Sequence, residues 1–592
     1  MKKTFSFILG SLAVIAIKAQ VEITSTAGTS TGTYTTLKAA FDAINGGTHQ
    51  GVVTINITGN TTETATAILN ASGTGGSNYT SVLIKPASGV NATITSADPV
   101  ATVKFNGADN VTIDGSNNGT STRNLTIAST FVATTGTTPV VLWVSSTATD
   151  GAENISIKNT NFAGSTPSGT IGGIIVSGTT LAAAEVPNNN FSAINNTFVR
   201  AQNGLFAVGN ATNTDTGWII RNNVIGSTVV ADKMLYRGIA VQNAKNFEVS
   251  GNTVTGVALP ATSTNTTQGI LIGAAVTNGT IFKNRITDIK QPNTGGYGAV
   301  GLYLNSNVVS SNLLVYNNVI NDVAGTGYSL GGALGDNGNG IFVGNGGGYK
   351  IYYNTVVMDT NQTNSGRPSA FNIGSAVTAA GAIDLRNNIF VNKQTQAGER
   401  YTIYSSASNT VFSNINYNNY HTTGANLAYI GSARATLANL QTGFGGNANS
   451  INVSPVFVST TDFHLDTTAN AALDNKGTPI AEVTVDIDGN ARNATTPDLG
   501  GYEFTSVLAV QEVNKNKTTL SYYPNPVIDY LYVSDVNKIK NIEVYTSSGQ
   551  RLFNENIDSN KGVINFTKAP SGVYILKVNS ERDSQSVKII KK

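Results

Sequence analysis

One phrase recurs through the middle of this chain: a short apolar alternation, an asparagine, then a second apolar alternation. It reads Trp218-Ile219-Ile220-Arg221-Asn222-Asn223-Val224-Ile225 in one copy and Ile351-Tyr352-Tyr353-Asn354-Thr355-Val356 in another. The asparagine falls at 196, 223, 252, 284, 318, 354 and 388, in steps of 27, 29, 32, 34, 36 and 34. Self-similarity at roughly 20 to 50 residues marks a solenoid. The apolar runs are too short and too β-branched for helical repeats. A parallel β-helix remains, each coil adding roughly 4.8 Å along the axis and resting on its neighbours. Such steps allow on the order of a dozen coils between about residues 50 and 420.

The phrase also assigns the inward faces. Three residues before the asparagine stand Ile220, Val249, Ile281, Val315, Ile351 and Leu385; two after it stand Phe198, Ile225, Val254, Ile286, Ile320, Val356 and Phe390. Both sets are expected to stack as core files, with the asparagine at the bend between two strands. Asparagine tolerates left-handed backbone, and its amide can bond the asparagine of the next coil as a ladder. A third strand precedes each phrase, as in Gly238-Ile239-Ala240-Val241 and Gly301-Leu302-Tyr303-Leu304. Loops of variable length, such as the glycine-rich 325–339, absorb the changing step.

A chain of 592 residues exceeds one compact core, and 40% hydrophobic residues with a net charge of +2 argue against disorder. The balance of 36 basic and 34 acidic residues offers no handle for nucleic acid. Cysteine is absent, which excludes disulfides, thiolate metal sites, cysteine nucleophiles and lipidation of a terminal cysteine. Histidine occurs only at 49, 421 and 464, so neither a His-based zinc centre nor a Ser-His-Asp triad is expected. Lys2 and Lys3 followed by the apolar stretch Phe5 to Ile17 read as a secretory signal over residues 1–19. This 13-residue stretch falls short of the ~20 needed to span a bilayer, and no later apolar stretch reaches that length, so no transmembrane segment is expected after processing.

These coils resemble the pectate-lyase-like superfamily, which implies an all-β, right-handed parallel β-helix over residues 20–510. Residues 35–45, with Leu37, Ala40, Phe41 and Ile44 on one helical face, resemble that superfamily's N-terminal capping helix. Residues 454–504 resemble its closing segment. Within them Asp486 and Asp488 fall short of an EF-hand pattern and read as a structural cap.

From residue 511 the composition changes. Residues 511–520 read as a linker, and 521–592 as a small antiparallel β-sandwich of alternating strands and turns. Pro524-Asn525-Pro526, the turn at Gly549, the strand opening at Gly572 with Tyr574, and the terminal Lys591 and Lys592 resemble the type A sorting domain of the type IX secretion system. That resemblance implies as partners the secretion machinery and its sortase, and a place outside the outer membrane.

Outward positions follow by parity. Phe282, Tyr316 and Tyr352 form one aromatic file, beside Lys350, Asp384 and Arg386; Leu271, Tyr303 and Phe342 form another on the preceding strand. Aromatic faces flanked by charges suit sugar rings and their carboxylates. Lys350, Asp384 and Arg386 are the catalytic candidates, although a glycosidase needs a carboxylate pair and only one carboxylate stands there. Asp288 and Asp322, each four residues after a ladder asparagine, are candidates to share a cation such as calcium; exposed turn aspartates are the plainer reading. No other cofactor is indicated. The sequence therefore leads to a monomeric, surface-attached adhesin or glycan-binding protein, with a polysaccharide lyase or hydrolase of atypical site and a structural surface component as alternatives.

Overall fold

The computed structural model describes residues 19–132, 137–293, 297–325, 338–362, 366–507, 520–582 and 584–592. The signal sequence up to residue 18, the linker up to residue 519, and the inner parts of loops 325–339 and 360–369 lie outside the described residues. The chain divides into two compact units, Met1–Val507 and Leu508–Lys592.

The first unit is a parallel β-helix with three sheets, of 14, 13 and 13 strands among the described residues. Each coil visits a strand of the first sheet such as Glu248–Ser250, bends into the second such as Thr253–Ala258, and crosses to the third such as Thr267–Ile272. Both expected core files exist. Ile220, Val249, Ile281, Val315, Ile351 and Leu385 pair in unbroken register and are buried. So are the residues from Phe198 to Phe390 on the second sheet.

The asparagine ladder is continuous. Asn318 donates from its backbone N–H and from Nδ2 to Asn354 Oδ1 at 3.0 and 2.9 Å, and its Nδ2 also reaches Ile281 O at 3.0 Å. The same contacts repeat from Asn196 to Asn388, pass to Asn418, and end where the Asn418 N–H meets Ser450 Oγ at 3.0 Å. The left-handed backbone, however, sits one residue earlier than expected. Asn195, Asn222, Lys283, Asn317, Tyr353 and Asn387 carry φ of 53–62°, and the ladder asparagines do not. The reason is a division of labour: the ladder residue must keep strand geometry to align its amide with the next coil, so its predecessor makes the turn. In the Asn-Asn doublets the first residue bends and the second bonds.

The ends are closed differently. Helix Leu37–Asn45 buries Leu37, Ala40, Phe41 and Ile44 over the first coils. Thr36 caps it through a 3.1 Å bond from the Ala39 N–H, and the Glu63 carboxylate takes the N–H groups of Leu37 and Lys38 at 3.0 and 2.7 Å. Such caps are worth about 1 kcal/mol each. The closing segment is not an end plug. It doubles back along the side of the solenoid, where Phe463, Leu465, Leu473, Ile487, Leu499 and Tyr502 pack on Val319, Val357, Ile389 and Val391 of the second sheet's outer face.

The second unit is an antiparallel sheet of Ser521–Tyr523, Tyr530–Thr546, Arg551–Asn565, Gly572–Ser580 and Ser584–Lys591, curled over a core of Leu531, Val533, Ile542, Val544, Phe566 and Leu576. No helix among the described residues is long and apolar enough to cross a membrane.

Candidate functional site

The outer face of the first sheet carries the candidate catalytic group, and the closing segment lies on it. Phe282 and Tyr316 stack with centroids 4.8 Å apart and planes 2° from parallel. Tyr352, next in the file, is 2% exposed beneath Ile480 and Val483. Burial, and secondarily Glu248, pushes the Tyr316 phenol up to about 12. Asp384 grips Arg386 through two 2.7 Å contacts and accepts a bond from the Tyr352 hydroxyl at 2.8 Å. Lys350 pairs with Glu482 of the closing segment at 3.2 Å rather than with Asp384. Lys350, Asp384 and Arg386 thus stand together on adjacent coils, each already engaged, and Tyr352 is a packing surface.

The bend residues provide the rest of the landing strip. Asn387 donates to Thr478 O at 2.7 Å and accepts from its N–H at 2.9 Å; Tyr353 Oη donates to Thr478 O at 2.8 Å; Asn317 donates to Val485 O at 2.8 Å. Left-handed backbone costs a non-glycine residue roughly 1–2 kcal/mol, and at these positions it turns side chains outward to hold the returning segment.

The candidate cation ligands hold lysines. Asp288 lies 2.6 Å from Lys233 Nζ, and Asp322 contacts Lys290 Nζ and Thr360 Oγ1. Both aspartates adopt left-handed backbone, φ 54°. Asp486 spends its two oxygens on the N–H groups of Asp488, Asn490 and Glu503 and on the Asn490 amide. Among the described residues no cluster of three or more His, Asp or Glu is arranged to hold a metal.

His464 sits between two carboxylates, 2.5 Å from Asp462 Oδ1 and 2.7 Å from Asp488 Oδ2, and Asp488 also takes Arg285 from the coils at 3.1 Å. Burial opposes charge on the imidazole, but the bonds to Asp462 and Asp488 outweigh it and raise its pKa above the ordinary 6.5. The contribution is complete below the unfolded pKa and is lost as pH rises through the raised folded value. Protease resistance of residues 454–507 is therefore expected to fall as pH rises above the ordinary imidazole value of 6.5, and His464→Gln to flatten that profile.

The third sheet's outer face differs. Trp143, Ile175, Phe206, Ala240, Leu271, Tyr303 and Phe342 occupy one outward file in continuous register, and Tyr303 and Phe342 stack at 5.0 Å. Sequence reading found only the last three of these. Three of the others were legible, because Ile175, Phe206 and Ala240 each stand two residues after a repeating glycine, as in Gly204-Leu205-Phe206 and Gly173-Ile174-Ile175; Trp143 follows Val141-Leu142 and lacks that mark. That glycine is forced by close approach: a Cβ on Gly238 would meet Val254 Cγ1 at 2.4 Å and Gly269 O at 2.6 Å.

At Phe206 the file opens into a cavity of about 350 Å³ lined by Ile171, Ile175, Leu181, Gln202, Asn203, Phe206, Tyr236, Arg237 and Asn265. The Arg237 guanidinium lies 6.0 Å from the Phe206 ring centre, with Nε donating to Gln268 Oε1 at 2.7 Å and Nη1 to Asn203 Oδ1 at 3.4 Å. Ring face, amides, phenol and guanidinium converge on one small opening, as polar groups do in ligand pockets.

In the second unit the Pro524-Asn525-Pro526 element clips the last strand. Asn525 Oδ1 accepts from the Ile590 N–H at 2.8 Å and Nδ2 donates to Lys588 O at 2.9 Å, imitating a neighbouring strand. Lys591 bridges to Val527, and the Lys592 N–H donates to Val527 O at 3.0 Å. Gly549 makes its turn at φ 84°, and Tyr574 Oη, beyond Gly572, donates to Pro570 O at 2.7 Å.

Residues 521–592 match the family of secretion system C-terminal sorting domains. The chain is thus sorted by type IX secretion to the cell surface or beyond it. No curated protein matches the chain. Among solved structures it is similar to the tailspike protein gp49 of Acinetobacter baumannii bacteriophage Fri1, a capsular polysaccharide depolymerase, at 10% identity over 91% of this chain and 73% of that one, with a TM-score of 0.22. So loose an overlap bears no weight for activity.

Proposed function

We propose that this exported β-helix protein binds glycans at the cell surface, through the outer face of its third sheet, without cleaving them. The observation that carries this reading is the Phe206 cavity: an aromatic floor for the apolar face of a sugar, amides and a phenol for its hydroxyls, and no carboxylate in the lining. Glycoside hydrolysis needs a placed carboxylate pair, and this lining holds no carboxylate.

A catalytic reading has one observation in its favour. Asp359, on the second sheet's side, has its pKa raised by burial and then by the charge of Asp322, and its Oδ1 is buried without a hydrogen-bond partner. Carboxylates held apart in pKa are the usual acid and base of glycosidases.

The secreted chain on a glycan array, combined with assays for new reducing ends and unsaturated sugars, separates the two. Binding without product, weakened about tenfold or more by Phe206→Ala, is the expected result. Product formation abolished by Asp359→Asn overturns the binding reading.

A further inference from the structure

The geometry points to a more specific ligand: we infer that the Phe206 cavity takes a single acidic sugar residue, its ring on Phe206 and its carboxylate or sulfate on Arg237. This rests on the glycan-binding reading above and goes beyond it in charge and in length.

Arg200, Arg221, Arg285, Arg386 and Arg492 each pair with a carboxylate, from Asp232, Glu248, Asp488, Asp384 and Glu503. Among the described residues Arg237 donates to the neutral oxygens of Gln268 and Asn203, as Arg123 and Arg400 donate to neutral oxygens of their own neighbours, but of these three it alone lines the Phe206 cavity. A partly buried guanidinium in contact with amides alone has lost hydration that no counter-charge replaces. An anion entering the cavity restores that balance, and a planar carboxylate or a sulfate matches the fork of N–H donors. No acidic side chain lines the opening to repel it.

On either side of Phe206 the outward file presents little open surface: Ile175, part of the cavity wall, is 2% exposed and Ala240 0%. A polysaccharide lying along the sheet has no continuous groove to follow. A cavity of about 350 Å³ stands at the small end of the roughly 300–1,000 Å³ range of ligand pockets. It holds one ring, at a chain end or on a branch.

The test uses the full secreted chain and three probes sharing one backbone: cellotetraose, its glucuronic acid counterpart and its 6-sulfate. Both acidic probes are expected to bind about tenfold or more tightly than cellotetraose, with only their affinity falling as ionic strength rises. A carboxylate site favours the glucuronate and a sulfate site the sulfate ester. Arg237→Gln is expected to collapse the acidic-to-neutral ratio to about one, and Arg237→Lys to keep part of it, since the ammonium preserves charge without the fork. Monomeric glucuronate should compete for the site. Equal binding of acidic and neutral probes by the unaltered chain, lost in Phe206→Ala, overturns the acidic-sugar inference and leaves glycan binding standing. Failure of all probes and of every arrayed glycan overturns both.

Discussion

Arg492→Ala is expected to free the closing segment from the coils, at a cost of about 3–5 kcal/mol, the range for removing one partner of a buried ion pair. The side chain of Arg492 is 2% exposed. Its Nη2 donates to Asn317 Oδ1 at 2.7 Å and Gly500 O at 2.9 Å, its Nη1 reaches Glu503 at 3.2 Å, and the guanidinium lies 3.8 Å from the Tyr353 ring centre. One side chain thus joins residues 175 positions apart in sequence. Removing it strands Glu503 beside the buried Asp486 and Asp498. Burial, reinforced by Glu503 and Asp474, already pushes Asp498 up to about 7 against the backbone N–H bonds it accepts. The freed carboxylates are then expected to take up protons or drive the segment into water.

The readouts follow from what the segment covers. Limited proteolysis should cut within 454–507 while the coils stay resistant, and Tyr352 and Tyr353 should become accessible to quenchers. Arg492→Lys should recover little, because one ammonium cannot serve Asn317, Gly500 and Glu503 together. Retention of full protease resistance in Arg492→Ala would show that the apolar contacts of Leu473, Leu499 and Tyr502 hold the segment alone.

The same arginine marks where sequence reading stops. The core files were legible because stacking imposes one chemical demand per coil, and a demand repeated every 27 to 36 residues stands out. Ile281, Val315, Ile351 and Leu385 could be placed before any coordinates. The bend was misplaced by one residue because the pattern Asn-Asn serves two roles, and spacing alone does not say which asparagine turns. The cover over Tyr352 was invisible for a different reason. Periodicity reports contacts between a residue and its copy one coil away, whereas Ile480 and Val483 arrive from outside the repeat. Parity correctly set Tyr316 and Tyr352 facing outward, and outward is not the same as exposed. On the third sheet the glycine repeat marks Phe206 as outward, while Leu181, Tyr236 and Asn265, which frame the opening beside it, come from outside that repeat. The sorting domain was legible for the opposite reason: Asn525, Gly549 and Tyr574 each satisfy backbone groups within their own small unit, so local motifs sufficed.

Asn318→Ala tests the ladder in the middle of the solenoid and is expected to cost about 3 kcal/mol or more, because four side-chain hydrogen bonds are lost and a buried backbone donor is left unsatisfied. Asn318 is fully buried. Its Oδ1 takes both the backbone N–H and Nδ2 of Asn284, at 3.0 and 2.9 Å. Alanine removes that acceptor, and the Asn284 N–H then faces a dry space. It also frees Ile281 O and Asn354 Oδ1 from the Asn318 amide. Because each coil rests only on its neighbours, the damage should be local. Hydrogen exchange is expected to accelerate most at Asn284 and the flanking strands Thr280–Phe282 and Leu313–Tyr316, and little in the coils around Asn223. Asn318→Asp is the sharper probe. It keeps the acceptor for Asn284 but turns a second oxygen toward Ile281 O and Asn354 Oδ1, which can only accept. At neutral pH it should cost as much as alanine, and acidification should restore part of the loss by giving that oxygen a proton to donate. An aspartate variant as stable as the parent at neutral pH would mean that shape, rather than the donor–acceptor order of the amides, sets the coil spacing.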